Sequence, residues 1–253
     1  MSEVEFAVEQ GVAIITLNRP EAKNAMNGPL LDGLREAFRR AGDEPEVRGA
    51  ILTGAGGAFC AGMDLKAYAR GEPLNLKGLP FSPSDPLKLD KPTIAAVEGY
   101  CLAGGFELAL SCDLIVASET ARFGLTEVKR GLAAAGGGLV RLPRQAPWRI
   151  AAEICLTGEI VDAERLERFG LINRLTPPGG AMAAAKALAA QIAEAAPGSV
   201  ALSLKVLRET QSLPEADALA RQNEILKPLF AREDAREGAR AFAEKRPPVW
   251  RGG

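Results

Sequence analysis

Apolar runs punctuated by turn residues divide the first two thirds of the chain into alternating strands and helices. Val12 to Leu17 is a near-continuous apolar run ended by Asn18-Arg19-Pro20, the pattern of a buried strand. Leu30, Leu31, Leu34, Ala37, Phe38 and Ala41 then recur at helical spacing and stop near Gly42, which predicts an amphipathic helix. Arg48 to Thr53 predicts a second strand and Gly54 to Gly57 a turn needing positive φ. Thr93 to Val97 predicts a third strand, Ala103 to Ser111 a helix of small residues, and Leu114 to Ala117 a fourth strand. This alternation predicts an α/β domain. Between the second and third strands, residues 70–86 hold Pro73, Pro80, Pro83 and Pro86 with Gly71 and Gly78, so a long loop is expected there, of the kind that serves as a lid or binding segment.

After Leu175 the periodicity turns helical throughout. Helices are predicted at Ala181 to Ala196, Ser199 to Thr210, Glu215 to Phe230 and Asp234 to Glu244, with one apolar stripe at Val200, Leu204 and Leu207 and another at Leu219, Leu226 and Phe230. We therefore divide the chain into an α/β core over residues 1–195 and a helical region over residues 196–253. The apolar faces of that region need cover from the core or from a neighbouring subunit.

Composition narrows the function. With 47% hydrophobic and 25% charged residues in 253, the chain has the balance of a soluble globular protein. A net charge of -1, with no basic stripe to grip a phosphate backbone, argues against nucleic acid as the main partner. The apolar stretches are far shorter than the roughly 20 residues of a spanning helix, so no membrane attachment is expected. The acidic start, Met1 to Glu9, does not have the basic-then-apolar order of a secretory signal, and a cytoplasmic location is expected. Cys60, Cys101, Cys112 and Cys155 lack zinc-site spacing and read as small buried hydrophobes in a reducing compartment.

One absence changes the picture most. The chain has no histidine, so Ser-His-Asp and Cys-His nucleophile systems and histidine-held metals are excluded within it. Acid–base chemistry falls to Glu, Asp, Lys, Tyr or Cys. No metal is expected.

Three segments offer such chemistry. In Gly99 to Asp113, Gly104-Gly105 permits close approach to the backbone, a helix start aims free N–H groups forward, and Glu107 lies among Phe106, Leu108, Ala109 and Leu110. A carboxyl on that face is either raised in pKa by burial or is a first-turn acid complementing the helix dipole; the segment alone leaves both open. Glu127, after Thr126, is read either as a capping residue or as a second functional acid. Phe59 to Lys66 is either turn chemistry or another helix-start amide. The turn at 54–57 is no nucleotide site: the third glycine of GxGxxG would fall at Phe59, and no Gly-Lys-Ser/Thr follows.

Taken together, Asn18-Arg-Pro-Glu-Ala-Lys-Asn-Ala25, Phe59-Cys-Ala-Gly-Met-Asp-Leu65, Gly104-Gly-Phe-Glu-Leu-Ala109, Phe123-Gly-Leu-Thr-Glu127, Leu156-Thr-Gly158 and Phe169-Gly-Leu-Ile-Asn173 resemble the enoyl-CoA hydratase/isomerase (crotonase) family nearly end to end. The resemblance implies a superhelix of ββα turns with a C-terminal helical region that packs in trimers or hexamers. It implies that the backbone N–H groups of Met63 and Gly104 form an oxyanion hole for an acyl-CoA thioester. Glu107 and Glu127 match the two catalytic glutamates, Glu127 as the Cα proton donor and Glu107 as the base that orients water. Ala22, Lys23, Ala61, Asp64, Leu65 and Lys66 fall where the family lines its coenzyme A site, and no cofactor beyond that coenzyme A is implied. The reaction so implied is reversible hydration of a 2-enoyl-CoA. Alternatives are dehydration of an unusual 3-hydroxyacyl-CoA such as carnitinyl-CoA, isomerisation, or a non-catalytic acyl-CoA-binding or RNA-binding relative. The tail Ala241 to Gly252 and Gly104 to Leu110 are similar to carnitinyl-CoA dehydratases. Where many relatives carry Pro-Gly-Ala-Gly-Gly, this chain has Ala134-Ala-Gly-Gly-Gly138, expected to free the backbone beside Glu127. The 70–86 loop, Met63 and Trp148 are expected to line the acyl pocket.

Overall fold

Six residue pairings join the two N-terminal strands and six more join the second of them to its next neighbour, and the rest of the fold is built on that start. A computed structural model describes residues 2–87 and 89–252. The elements run β1 (Val4–Glu9), β2 (Val12–Leu17), α1 (Gly28–Asp43), β3 (Gly49–Gly54), α2 (Leu65–Ala69), β4 (Thr93–Val97), β5 (Tyr100–Leu102) and α3 (Gly104–Ser111). Then come β6 (Leu114–Ser118), β7 (Arg122–Gly124), α4 (Gly138–Gln145), α5 (Trp148–Thr157), β8 (Val161–Asp162), α6 (Ala163–Arg168) and β9 (Arg174–Thr176). Four helices close the chain: α7 (Ala181–Ala193), α8 (Pro197–Thr210), α9 (Glu215–Leu226) and α10 (Glu233–Glu244).

The main sheet has the order β1-β2-β3-β4-β6-β9, with only the β1–β2 pair antiparallel; a smaller sheet has the order β5-β7-β8. Parallel strands buried on both faces read as unbroken apolar runs. That is why β2, β3, β4 and β6 are visible in the sequence, whereas β5, β7, β8 and β9, of two or three residues each, are not. One face of the sheet carries Ala13, Ile15, Leu17, Leu52 and Val97 against α1 and α3; the other carries Val12, Ile51, Ile94 and Val116 against the alanines of α7. The turn after β3 holds Gly56 and Gly57 at φ of 72° and 75°, as its glycines predict.

Two predicted helices end early. The segment expected to run to Phe230 stops at Leu226, and Pro228 leads into a short 3₁₀ turn at Leu229–Ala231, since proline cannot donate to the preceding turn. The one expected to reach Ala196 stops at Ala193, before Pro197 begins the next. Helix α8 is tied to the core by Arg208, which pairs with both carboxylate oxygens of Asp113 at 2.7 Å, and by buried Leu204. Leu207, Leu219 and Phe230, from the predicted stripes, are instead exposed, as is Phe242. No single helix among the described residues is long and apolar enough to cross a bilayer.

Candidate active site

The segment after Phe59 and the start of α3 are pressed together by backbone pairing. The Cys60 N–H donates to Tyr100 O at 2.9 Å, and the Leu102 N–H donates to Cys60 O at 2.9 Å. Helix α3 then packs so closely that a Cβ on Gly105 would lie 2.4 Å from Cys60 O, which only glycine permits. On the other side, Met26 donates to Gly62 O at 2.7 Å and accepts from the Asp64 N–H at 2.9 Å. This pairing uses the amides on either side of Met63 and turns the Met63 N–H away from it. The Gly104 N–H, first in α3, likewise has no acceptor among the described residues, as expected for a helix start. The two amides are neighbours: the Met63 nitrogen lies 3.9 Å from the position of a Cβ on Gly104. Ala103, immediately before, is held at φ 51° and ψ -125°, a conformation that strains any residue with a Cβ, by donation of its N–H to Gly124 O at 2.7 Å.

Met63, Gly104, Glu107 and Glu127 all line one cavity of about 240 Å³. Glu107 is buried on α3. Its Oε1 accepts from the Gly138 N–H at 2.8 Å, and burial raises its carboxyl above the ordinary range while the Gly138 and Gly136 amides and the Arg141 cation pull it back. Glu127 sits in a 3₁₀ turn, Thr126–Arg130, next to β7. Its Oε2 is buried without a hydrogen-bond partner, and burial, with a lesser push from the Glu107 charge, raises it to about 7. The capping role considered for Glu127 is not what the side chain does. Lys129 and Arg130 beside it face solvent.

The positions resembling a coenzyme A site gather beside Met26 and Met63 without lining the cavity. The Ala61 N–H donates to Lys23 O at 3.0 Å, which joins the Ala22–Lys23 turn to the Ala61–Lys66 segment. Lys23 is exposed, 4.5 Å above the Tyr100 ring, and Leu65 and Lys66 are exposed on α2. Asp64 is different. Its carboxylate caps α2, accepting from Lys66 and Ala67, and pairs with Arg19 at 3.2 Å; the Ala67 amide foremost holds it below the usual range. The Asp64 side chain is committed to the fold.

Two expectations are corrected. Trp148, at the start of α5, is 72% exposed and takes no part in the cavity, because its ring points off the helix surface. The glycine run at 136–138 wraps Glu107 and not Glu127: a Cβ on Gly136 would lie 2.7 Å from Glu107 Oε2. Sequence reasoning also missed Arg141, whose Nη1 donates to Gly136 O at 2.8 Å, and Phe81, whose ring forms a wall of the cavity. Phe81 lies in the 70–86 loop that was expected to line the acyl pocket, but nothing singled it out within that loop. Nothing local marks Arg141. Leu74 and Leu76 from that loop do line the cavity.

A fold of parallel strands in which two neighbouring backbone amides share a cavity with one buried and one half-buried carboxyl is that of the crotonase enzymes, and a sequence model of the enoyl-CoA hydratase/isomerase family matches residues 7–253. The chain belongs to this family. It is 43% identical to the enoyl-CoA hydratase EchA19 of Mycobacterium tuberculosis, over 93% of this chain and 91% of that one. It is 42% identical to the carnitinyl-CoA dehydratase of Salmonella typhi, covering the whole of both. The structure of enoyl-CoA hydratase EchA1 from Mycobacterium marinum superposes with a TM-score of 0.94 at 49% identity, covering both chains fully.

Proposed function

We propose that this protein is a hydro-lyase that adds water reversibly across the double bond of a 2-enoyl-CoA thioester. The observation that supports the reading is the single cavity lined by Met63, Gly104, Glu107 and Glu127. Two N–H donors aimed at a thioester oxygen stabilise the enolate that forms there, and the loss of one such donor typically costs about 3 kcal/mol. Glu107, held in place by Gly138, takes a proton from water as the hydroxyl bonds to Cβ. Glu127, whose pKa raised to about 7 leaves a large share of it protonated at neutrality, gives its proton to Cα. The two carboxyls are reset by exchange of one proton with each other or with solvent. No group besides the chain, the thioester and water enters these steps, so we assign no cofactor.

The coenzyme A moiety is assigned to the rim formed by Ala22, Lys23, Ala61, Leu65 and Lys66, with Lys23 and Lys66 offering cations to phosphates. Residues 196–253 are assigned to assembly into trimers or hexamers, a reading supported by the exposed Leu207, Leu219, Phe230 and Phe242. A cytoplasmic location suits the free thiols of Cys60, Cys101, Cys112 and Cys155. Carnitinyl-CoA dehydration, favoured by the full-length likeness to the Salmonella enzyme, runs the same two-carboxyl chemistry on a different acyl group. The test is loss of the conjugated-enoyl absorbance on mixing with crotonyl-CoA and with crotonobetainyl-CoA. Turnover of either supports hydro-lyase chemistry; turnover of neither, with binding of the thioester intact, removes it.

A further inference from the structure

Two cavities meet at adjacent residues of the 70–86 loop: Phe81 lines the smaller one, which holds the two glutamates, and Pro80 lines a larger one. Phe81 is 1% exposed, and its Cδ2 is 2.8 Å from where a Cβ on Gly136 would stand, so the ring closes against the glycine run. Pro80, the next residue back, lines a second cavity of about 610 Å³ together with Leu87, Leu110 and Arg141. Leu110 lies about one turn along α3 from Glu107, so α3 presents Gly104 and Glu107 to the first cavity and Leu110 and Ser111 to the second. Arg141 spans the join, with Nη1 on Gly136 O at 2.8 Å and Nη2 on Pro80 O at 3.4 Å.

We propose that Phe81 is the chain-length stop of the acyl pocket, limiting this enzyme to short, uncharged acyl groups, and that its ring is what separates that pocket from the second cavity. The inference rests on the thioester reading above and goes beyond it to the acyl class. Two features set the class. The cavity, at about 240 Å³, is smaller than the roughly 300–1,000 Å³ that hold drug-sized ligands. Among its lining residues the only polar side chains are the two glutamates engaged in the chemistry; the remainder are apolar or glycine. A quaternary ammonium or a second hydroxyl beyond Cβ would be stripped of water and find no partner there, because a cation requires a free carboxylate or a cage of aromatic faces and Phe81 is the lone aromatic ring. A straight hydrocarbon chain fits until it meets that ring.

Calorimetry with saturated, unreactive thioesters tests the stop independently of catalysis. The intact enzyme binds butyryl-CoA at least about tenfold more tightly than decanoyl-CoA, since misfit of a single methylene in a closed pocket is worth roughly 10–200-fold. Phe81→Ala joins the two cavities and moves the decanoyl-to-butyryl affinity ratio up by at least about tenfold. Phe81→Leu, which keeps a large apolar side chain in case alanine prevents folding, moves it in the same direction by less. Equal affinities in the intact enzyme, or an unmoved ratio in whichever of the two variants fold, overturn the stop. Crotonobetainyl-CoA turned over as fast as crotonyl-CoA overturns the restriction to uncharged groups. If no thioester is turned over but the affinity ratios move as stated, the hydratase reading fails while the stop stands.

Discussion

Glu107 and Glu127 share a cavity, yet the chain treats them in opposite ways. Glu107 leaves a regular helix and meets a backbone built to receive it: the Gly138 amide donates to it, the Gly136 amide adds to the hold, and the Arg141 cation stands behind. Glu127 leaves a single 3₁₀ turn and keeps one oxygen buried without any partner. Burial raises both, but the rise at Glu107 is opposed by two backbone amides and a cation, whereas at Glu127 only its own amide opposes it, so Glu107 ionises more readily than its partner. An unsatisfied buried oxygen costs stability. Among the described residues the fold tolerates that cost at Glu3 Oε2 and at Glu127 Oε2, and at Glu127 it suits the proposed role of holding a proton ready for transfer.

The contrast is broken most severely by removing either charge. Glu107→Gln and Glu127→Gln keep shape and remove acid–base capacity, and each is expected to lower kcat by roughly 10²–10⁴-fold. Affinity for butyryl-CoA, measured by calorimetry, stays close to that of the parent. Near-parental turnover in either variant removes that residue from the mechanism. A weaker perturbation targets the cradle alone. In Gly136→Ala the new methyl stands 2.7 Å from Glu107 Oε2 and 2.8 Å from the Phe81 ring, so the carboxylate must shift off its amides. Disturbing a hydrogen bond to a charged buried group costs about 1–3 kcal/mol, which predicts a fall in kcat of roughly five- to 150-fold with Glu107 still present. Unchanged steady-state kinetics would mean that the glycine run does not position this side chain.

How much of this was legible in the sequence follows the range of each interaction. Strands β2, β3, β4 and β6 and helix α1 write their burial into a local period, and all were readable. Glu107 was readable as a carboxyl on an apolar helical face. Its cradle was not, because the Gly138 amide that holds it lies 31 positions away in sequence. Arg141 reaches Pro80 across 61 positions, so no window around residue 141 distinguishes it from a surface arginine. Glu127 looked like a cap since its local sequence is that of a cap; its burial comes from packing of α5 against the 3₁₀ turn, which the chain supplies some twenty residues later. Trp148 misled for the converse reason. A large aromatic residue suggests a pocket, but at the first position of α5 its direction is set by helix geometry, and it points outward.

The split between the two carboxyls has a pH signature. Glu127 is protonated below about 7, and the proposed hydration consumes its proton, so kcat/KM for hydration is expected to fall as pH rises through about 7. The same group fixes a stability trend. Its folded-state pKa is raised from 4.5 to about 7, so the unfolded chain ionises first and the native state loses relative stability as pH rises from 4.5 to about 7. Glu127→Gln escapes that loss. Because the half-buried side chain is partly screened by solvent at the cavity mouth, the variant gains only about 1–2 kcal/mol over the parent above pH 7, with no gain below 4.5. Denaturant titrations at the two ends of the window measure this, and an equal difference at both would show that the trend has another source.

The smallest effect lies just ahead of Glu107, where backbone strain and not side-chain charge prepares the site. Ala103 carries a Cβ at φ 51° and ψ -125°, and its N–H is fixed on Gly124 O, so the chain enters α3 through a conformation suited to glycine. Such strain costs about 1–3 kcal/mol. Ala103→Gly removes it, and the greater freedom of glycine in the unfolded chain returns about 0.4–1 kcal/mol of the gain. The net effect is a stabilisation of about 1 kcal/mol, or a rise in Tm of roughly 2–4 °C for a chain of this size. The hydrogen bond to Gly124 needs no side chain, so the Gly104 amide keeps its direction and kcat for crotonyl-CoA should change by less than the Gly136→Ala variant shows. A lowered Tm in Ala103→Gly would mean that the Ala103 methyl packs against Gly62 and stabilises more than the strain costs, and that the two amides owe their closeness to that contact.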